Sequence, residues 1–308
     1  MDPSRAKWRI RLNLNVQRKG IGVHLSATQS SADQQGNELY QAVDEPFYLP
    51  VGDEVSLFEA AYRERIPVLL KGPTGCGKTR FVEYMAWHLA QKAGLERGYA
   101  LTTVSCHEDL TATDLVGRYL LSIDGTHWID GPLTRAVRSG GICYLDEIVE
   151  ARKDTIVVIH SLTDHRRLLP IEKKAELLKA HDDFFLVVSY NPGYQSTVKD
   201  LKHSTRQRFV SIEFDYPAQP LEQRIIAREA GVDAATAEAL ALVGVQIRHL
   251  DQQNLLEGPS TRLLIYAGRL IVQGVPPRRA CDVGIVQAMT DDMLLAKGIR
   301  QVIEAIFP

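Results

Sequence analysis

A chain of 308 residues, 45% of them hydrophobic, can bury one large core and a smaller satellite, so one or two domains are expected. Its formal net charge of -2 removes the electrostatic case for wrapping nucleic acid or lying on an anionic membrane, and favours a protein partner or a small ligand. Cys76, Cys106, Cys143 and Cys281 form neither a C-x-x-C pair nor a zinc spacing, which fits reduced, packed thiols in a cytoplasmic protein.

Residues 1–45 read as an N-terminal extension. Trp8, Ile10, Leu12, Leu14 and Val16 alternate with charged or amide residues at the period of a half-buried strand, unlike the continuous apolar run of a signal peptide. Ser26 to Asn37, rich in Ser, Gln and Asp, reads as a linker. No stretch reaches the ~18 uninterrupted apolar residues of a membrane helix, so no membrane is expected among the partners. Over 46–216 short apolar strands alternate with helical patterns, the signature of an α/β domain with a parallel sheet covered on both faces. Expected strands are Pro67–Lys71, Ala100–Ser105, Ile142–Asp146, Phe184–Ser189 and Phe209–Phe214. After Asp215-Tyr216-Pro217 the strands stop. Leu221–Ala230, Ala234–Leu250, Thr261–Gln273, Pro277–Gln287 and Asp291–Phe307 read as helices, making 217–308 a small all-α domain.

Gly72-Pro73-Thr74-Gly75-Cys76-Gly77-Lys78-Thr79 satisfies G-x-x-x-x-G-K-[ST] and stands where that pattern has meaning, between the apolar strand Val68-Leu69-Leu70 and a helix beginning near Thr79. Glycines at 72, 75 and 77 are expected to open backbone conformations closed to other residues, so that successive N–H groups and the helix N-terminus face phosphates. Lys78 would neutralise β/γ charge and the Thr79 hydroxyl would ligate Mg2+, with Arg80 the last of the nucleotide-binding positions. The strand Ile142-Cys143-Tyr144-Leu145 ends in Asp146-Glu147, at the sheet edge where ligands of open α/β folds collect. Asp146 would hold the metal through its water shell, and Glu147 would orient and deprotonate the attacking water. Leu186-Val187-Val188-Ser189 ends in Tyr190-Asn191-Pro192, which puts the Asn191 amide near the same edge.

Arg206 and Arg208, two residues apart near a helix end, cannot both point the same way. One is free to reach a neighbouring subunit's γ-phosphate, with Arg208 preferred and Arg206 second. Gly258-Pro259-Ser260-Thr261-Arg262 opens a helix with Ser260 or Thr261 as the natural N-cap. Arg262 in its first turn opposes the helix dipole, and ATP is the anion it would meet if the helical domain folds over the nucleotide. His107 and His160 lack a second ligand at helical or strand spacing and are expected to make local hydrogen bonds.

In this order the motifs resemble the AAA+ superfamily: Walker A at Gly72–Thr79, Walker B at Ile142–Glu147, sensor 1 at Asn191, an arginine finger at Arg208 or Arg206, and sensor 2 at Arg262. The runs Leu70–Glu83, Cys106–Thr111 and Ser189–Ser196 are similar to the MoxR branch, specifically the CbbQ/NorQ group. The resemblance implies a P-loop core with a helical lid, ATP and Mg2+ as cofactors, and a homo-hexameric ring that remodels a protein partner. It also implies a CbbO-type adaptor with a von Willebrand factor A domain. CbbQ-like members act as Rubisco activases that release inhibitory sugar phosphates, whereas NorQ-like members serve nitric oxide reductase. Two segments look like insertions of this branch, placed on a ring face or toward the pore. One is a β-hairpin across Asp124-Gly125, a pair favouring a type I′ turn, and the other pairs Leu168–Ile171 with Glu176–Lys179. The competing readings are a nucleic-acid motor, which the charge balance opposes, and a nucleotide-gated binding module without turnover, which Glu147 opposes.

Overall fold

The computed structural model describes residues 39–40, 45–95, 100–123, 125–192, 201–251 and 258–308. The expected strand at 8–16, the linker at 26–37, Asp124 of the first hairpin turn and residues 193–196 lie outside them. In chain order the elements are β1 (Leu39–Tyr40), α1 (Glu54–Arg63), β2 (Val68–Lys71), α2 (Lys78–Lys92), β3 (Leu101–Ser105), α3 (Ala112–Val116), β4 (Gly117–Ser122), β5 (Gly125–Asp130) and α4 (Pro132–Ser139). They continue with β6 (Gly141–Asp146), α5 (Lys153–His160), β7 (Leu168–Ile171), β8 (Glu176–Lys179), β9 (Phe184–Tyr190), α6 (His203–Arg206) and β10 (Val210–Glu213). Helices α7 (Gln219–Ala230), α8 (Ala234–Asp251), α9 (Thr261–Val272), α10 (Pro277–Cys281), α11 (Gln287–Met289) and α12 (Met293–Ile306) complete the chain.

Among the described residues the main sheet runs β1-β3-β6-β9-β2-β10, parallel except for β1. Successive strand residues point to opposite faces, and here both faces are dry. Leu69, Cys143, Leu145, Leu186 and Val188 pack on one side with α3, α4 and α5, while Val68, Leu70, Ile142, Tyr144, Phe185 and Val187 pack on the other with α1 and α2. That two-sided burial explains why the strands are continuous apolar runs rather than alternating ones. The chain leaves β2 for β3, three positions away, and later returns from β9 across β2 to β10. The order therefore reverses around β2, whose C-terminal end is where ligands of such sheets gather.

The helices after β10 have a separate core of Ile226, Leu240, Ile247, Leu264, Ile285, Ile299 and their neighbours. The helix expected over Pro277–Gln287 is interrupted by one π turn at Asp282–Val286. Inside that turn Gly284 lies so close to α9 that an added Cβ would sit 3.3 Å from the Ala267 nitrogen, a closeness periodicity does not report. Both expected hairpins form, as β4 with β5 and β7 with β8. No helix among the described residues is long and apolar enough to cross a membrane. All four cysteines are buried and free, and burial pushes the Cys106, Cys143 and Cys281 thiols up to about 12.

Candidate nucleotide site

Parallel pairing brings three strand ends level: Lys71 of β2 stands opposite Tyr190 of β9, and Leu145 of β6 opposite Val188 of β9. The next residues along each chain are the phosphate loop, Asp146-Glu147 and Asn191. The loop turns through Gly75 (φ 69°) and Gly77 (φ 102°), conformations that L side chains rarely adopt, and Gly77 caps α2. Gly72 is glycine for a different reason than expected. Its φ is not positive, but a Cβ there would lie 2.3 Å from the Phe214 carbonyl oxygen, so the loop can leave β2 only by grazing the end of β10.

Lys78 is buried, and its ammonium donates to the carbonyls of Gly72 and Pro73 and to Asn191 Oδ1, each at 2.8 Å. The amide nitrogen of Asn191 donates to Thr74 Oγ1 at 3.1 Å and to Glu147 Oε1 at 3.2 Å. One amide thus links the loop's lysine to the carboxylate at the end of β6. Asp146 is held from below: Tyr144 and Ser189 donate to its Oδ1 at 2.6 and 2.5 Å, which leaves Oδ2 facing Thr79 Oγ1 at 3.4 Å. Glu147 adopts φ 55° and ψ 48°, a left-handed conformation costing about 1–2 kcal/mol, and its N–H is anchored on Ser189 Oγ at 3.0 Å. That turn aims the Glu147 side chain outward at the start of the Ile148–Glu150 turn.

These groups open into a cavity of about 530 Å3 between the sheet edge and the lid helices. Residues 74–80, Asp146, Glu147, Asn191 and Arg262 all line it. Tyr48, Leu49 and Val51 of the segment before α1 also line it, with Pro217, Ile225 and Ile265. Tyr48 donates to Glu54 at 2.7 Å, and the N–H groups of Val51 and Gly52 reach the same carboxylate at 2.7 Å. Burial opposes the Glu54 charge, yet these hydrogen bonds hold its carboxyl below the usual value.

Arg206 and Arg208 do not enter this cavity. Arg206 lies over the Tyr190 ring, 5.7 Å from its centroid. Arg208 is exposed and lines a second cavity beside α5, donating to the His160 carbonyl at 3.4 Å. His160 makes the local bond expected of it, to Thr205 Oγ1 at 3.1 Å; burial, then the Arg208 and Lys202 charges, lower its pKa. The capping expected at α9 is corrected. Ser260 occupies the N-cap but its hydroxyl makes no capping bond, and Thr261 Oγ1 instead donates to the buried Glu222 at 2.6 Å. Sequence reasoning missed Tyr144, Ser189, Tyr48, Glu54, Tyr216, Glu222 and Arg248. Only Tyr144 and Ser189 carried a signal, as polar side chains inside otherwise apolar strands.

Two family descriptions match the chain: the AAA domain of the dynein-related subfamily over residues 67–209, and the CbbQ/NirQ/NorQ C-terminal domain over residues 222–306. The chain is 58% identical over 268 residues to protein CbbQ of Hydrogenophilus thermoluteolus, covering 87% of this chain and 97% of that one. It is 54% identical over 273 residues to protein NorQ of Paracoccus denitrificans, covering 89% and 97%. With the denitrification regulatory protein NirQ of Stutzerimonas stutzeri it shares 53% over 264 residues, covering 86% and 93%.

Proposed function

We propose, on the premise that the chain belongs to the CbbQ/NirQ/NorQ family of AAA+ ATPases, that its hydrolysis of ATP drives a homo-hexameric ring which remodels a protein partner. The observation that carries the chemistry is the single amide of Asn191, which touches Lys78, Thr74 and Glu147 together. In this reading the loop amides and Lys78 bind the β- and γ-phosphates, and Asn191 positions the Glu147 carboxylate. Glu147 then takes a proton from the attacking water. Thr79 Oγ1 and Asp146 Oδ2 are adjacent hard oxygen donors, the kind magnesium takes, with the other Asp146 oxygen already committed to Tyr144 and Ser189. Bound there, magnesium would offset charge on the phosphate oxygens. Arg262, in the first turn of α9 on the cavity wall, would meet the terminal phosphate from the lid, and Arg208 would act on a neighbouring subunit's nucleotide.

The likeness to CbbQ supports Rubisco as the partner, approached through a CbbO-type adaptor, with inhibitory sugar phosphates released. The near-equal identity to NorQ favours a second reading, in which nitric oxide reductase is the client. The test adds this protein, ATP and the adaptor to sugar-phosphate-inhibited Rubisco and follows carboxylation. Recovery that requires ATP is expected. No recovery, together with restored nitric oxide reductase maturation, would move the assignment to the second client.

A further inference from the structure

The Glu222 carboxylate of α7 is fully buried in the lid, and the Arg248 guanidinium of α8 grips it with two bonds of 2.9 and 2.7 Å. A bidentate pair of this kind is directional, because the planar fork fixes both side chains. Arg248 also donates from Nε and Nη2 to the Pro259 carbonyl, at 3.0 and 2.7 Å. Thr261 Oγ1 donates to the same carboxylate. Residues 259 and 261 are thus fastened to one ion pair immediately before Arg262. Room for the Arg248 stem is built in: a Cβ on Gly258 would lie 2.5 Å from Arg248 Cγ.

The other side of Arg248 faces the core. Its guanidinium lies 4.1 Å from the centroid of the Tyr216 ring. The Tyr216 hydroxyl is placed to donate to the Thr74 carbonyl of the phosphate loop at 3.3 Å and to the Gly258 carbonyl of the lid at 3.5 Å. Gly75 abuts the same region, since a Cβ on it would be 2.7 Å from Ser260 Cβ and 3.4 Å from Arg262 Cβ. The turn that receives phosphate and the turn that carries Arg262 are therefore in direct contact. Thr74 is joined to the turn before Arg262 by a neutral hydrogen bond from Tyr216, by the contact of the Tyr216 ring with Arg248, and by the charge-assisted bonds of Arg248 and Glu222.

We propose that Tyr216, Arg248 and Glu222 are positioning residues that couple the phosphate loop at Thr74-Gly75 to Arg262, so that this site distinguishes a nucleoside triphosphate from a diphosphate. The inference rests on the reading that Arg262 meets the terminal phosphate. Glu222→Gln alone would leave a half-buried arginine without its charge partner and endanger the fold. The pair is therefore removed together as Glu222→Gln with Arg248→Met, and Tyr216→Phe provides a variant that loses only a hydroxyl. The full chain is titrated with a non-hydrolysable ATP analogue and with ADP, each displacing a fluorescent ADP, and the ratio of the two affinities is read.

Tyr216→Phe is expected to lower the ratio roughly three-fold and the pair variant roughly ten-fold. In an Arg262→Ala background neither should lower it further, since residues acting through one group are not additive. A merely structural role would give effects that add to Arg262→Ala, and that result overturns the relay. An unchanged ratio in Tyr216→Phe and the pair variant, with Arg262→Ala lowering it, overturns the relay alone. If Arg262→Ala itself leaves the ratio unchanged, both the relay and the reading of Arg262 fail.

Discussion

In the nucleotide cleft the groups at the strand ends are tied to one another or to the backbone: Lys78 to two carbonyls and Asn191, Asn191 to Glu147, and Asp146 to Tyr144 and Ser189. At the second cavity Arg208 stands exposed, its guanidinium meeting a backbone carbonyl at 3.4 Å. On the proposed function, the contrast would separate groups that work within their own chain from one that works on a neighbour. The buried Lys78 ammonium is held beside the loop by the Gly72 and Pro73 carbonyls and Asn191 Oδ1 before any ligand arrives, and would exchange one of these oxygens for a phosphate oxygen. An exposed arginine is costly to keep ordered and returns little unless something docks against it. In the proposed function the cleft would carry binding and water activation, and the outer arginine would complete a neighbouring subunit's site.

The largest effect tests the first half of that contrast. Glu147→Gln keeps the shape and the bond from Asn191 but removes the base, so kcat is expected to fall about 10³-fold while ATP affinity is retained. Equal loss of binding would place Glu147 among the structural groups instead. The second half is tested by Arg208→Ala, expected to cost on the order of 10²-fold in kcat without weakening nucleotide binding. Mixing this variant with Glu147→Gln subunits, which carry an intact Arg208, should restore part of the activity. Arg206→Ala, whose side chain lies on Tyr190 of its own subunit, should show no such rescue. Rescue of Arg206→Ala but not of Arg208→Ala would reverse the two roles. A smaller loss is expected from Ser189→Ala, which removes one of the two bonds to Asp146 Oδ1 and the anchor of the Glu147 N–H at once. It should lower kcat roughly ten-fold and raise the Mg2+ requirement. An unaltered Mg2+ dependence would show that Tyr144 holds Asp146 sufficiently by itself.

What the sequence makes legible follows a simple division. Strands β2, β6 and β9 could be found because a sheet buried on both faces demands uninterrupted apolar runs, and glycine or acidic residues bound them. The phosphate loop is contiguous, so its spacing alone fixes which residues approach one another. Gly72 was recognised for the wrong reason, because its close approach to Phe214 depends on a strand more than a hundred residues away in sequence. Ser189 beneath Asp146 and Arg248 on Glu222 obey no period, being joined only by the order in which strands and helices pack. Arg262 was legible as a charge in the wrong place on a helix, yet what holds that helix against the loop was not.

The least effect, and the one closest to the boundary between site and scaffold, concerns Glu54. Its carboxylate gathers the Tyr48 hydroxyl and the N–H groups of Val51 and Gly52, and so shapes a segment that lines the cleft. Its folded-state pKa is lowered, so the unfolded chain binds the proton more readily. The stabilisation is therefore complete above the ordinary carboxylate pKa and is lost as pH falls through the lower folded value. Glu54→Gln should cost about 2 kcal/mol of stability at neutral pH and flatten the acid limb of a thermal-denaturation profile. It should raise the KM for ATP roughly three-fold with kcat nearly unchanged, because the amide retains only one accepting oxygen, and a wall with fewer and weaker hydrogen bonds loosens binding in the ground and transition states alike. A fall in kcat as large as that of Ser189→Ala would mean that the wall and the hydrolytic centre move together, and would erase the separation between scaffold and site within this cleft.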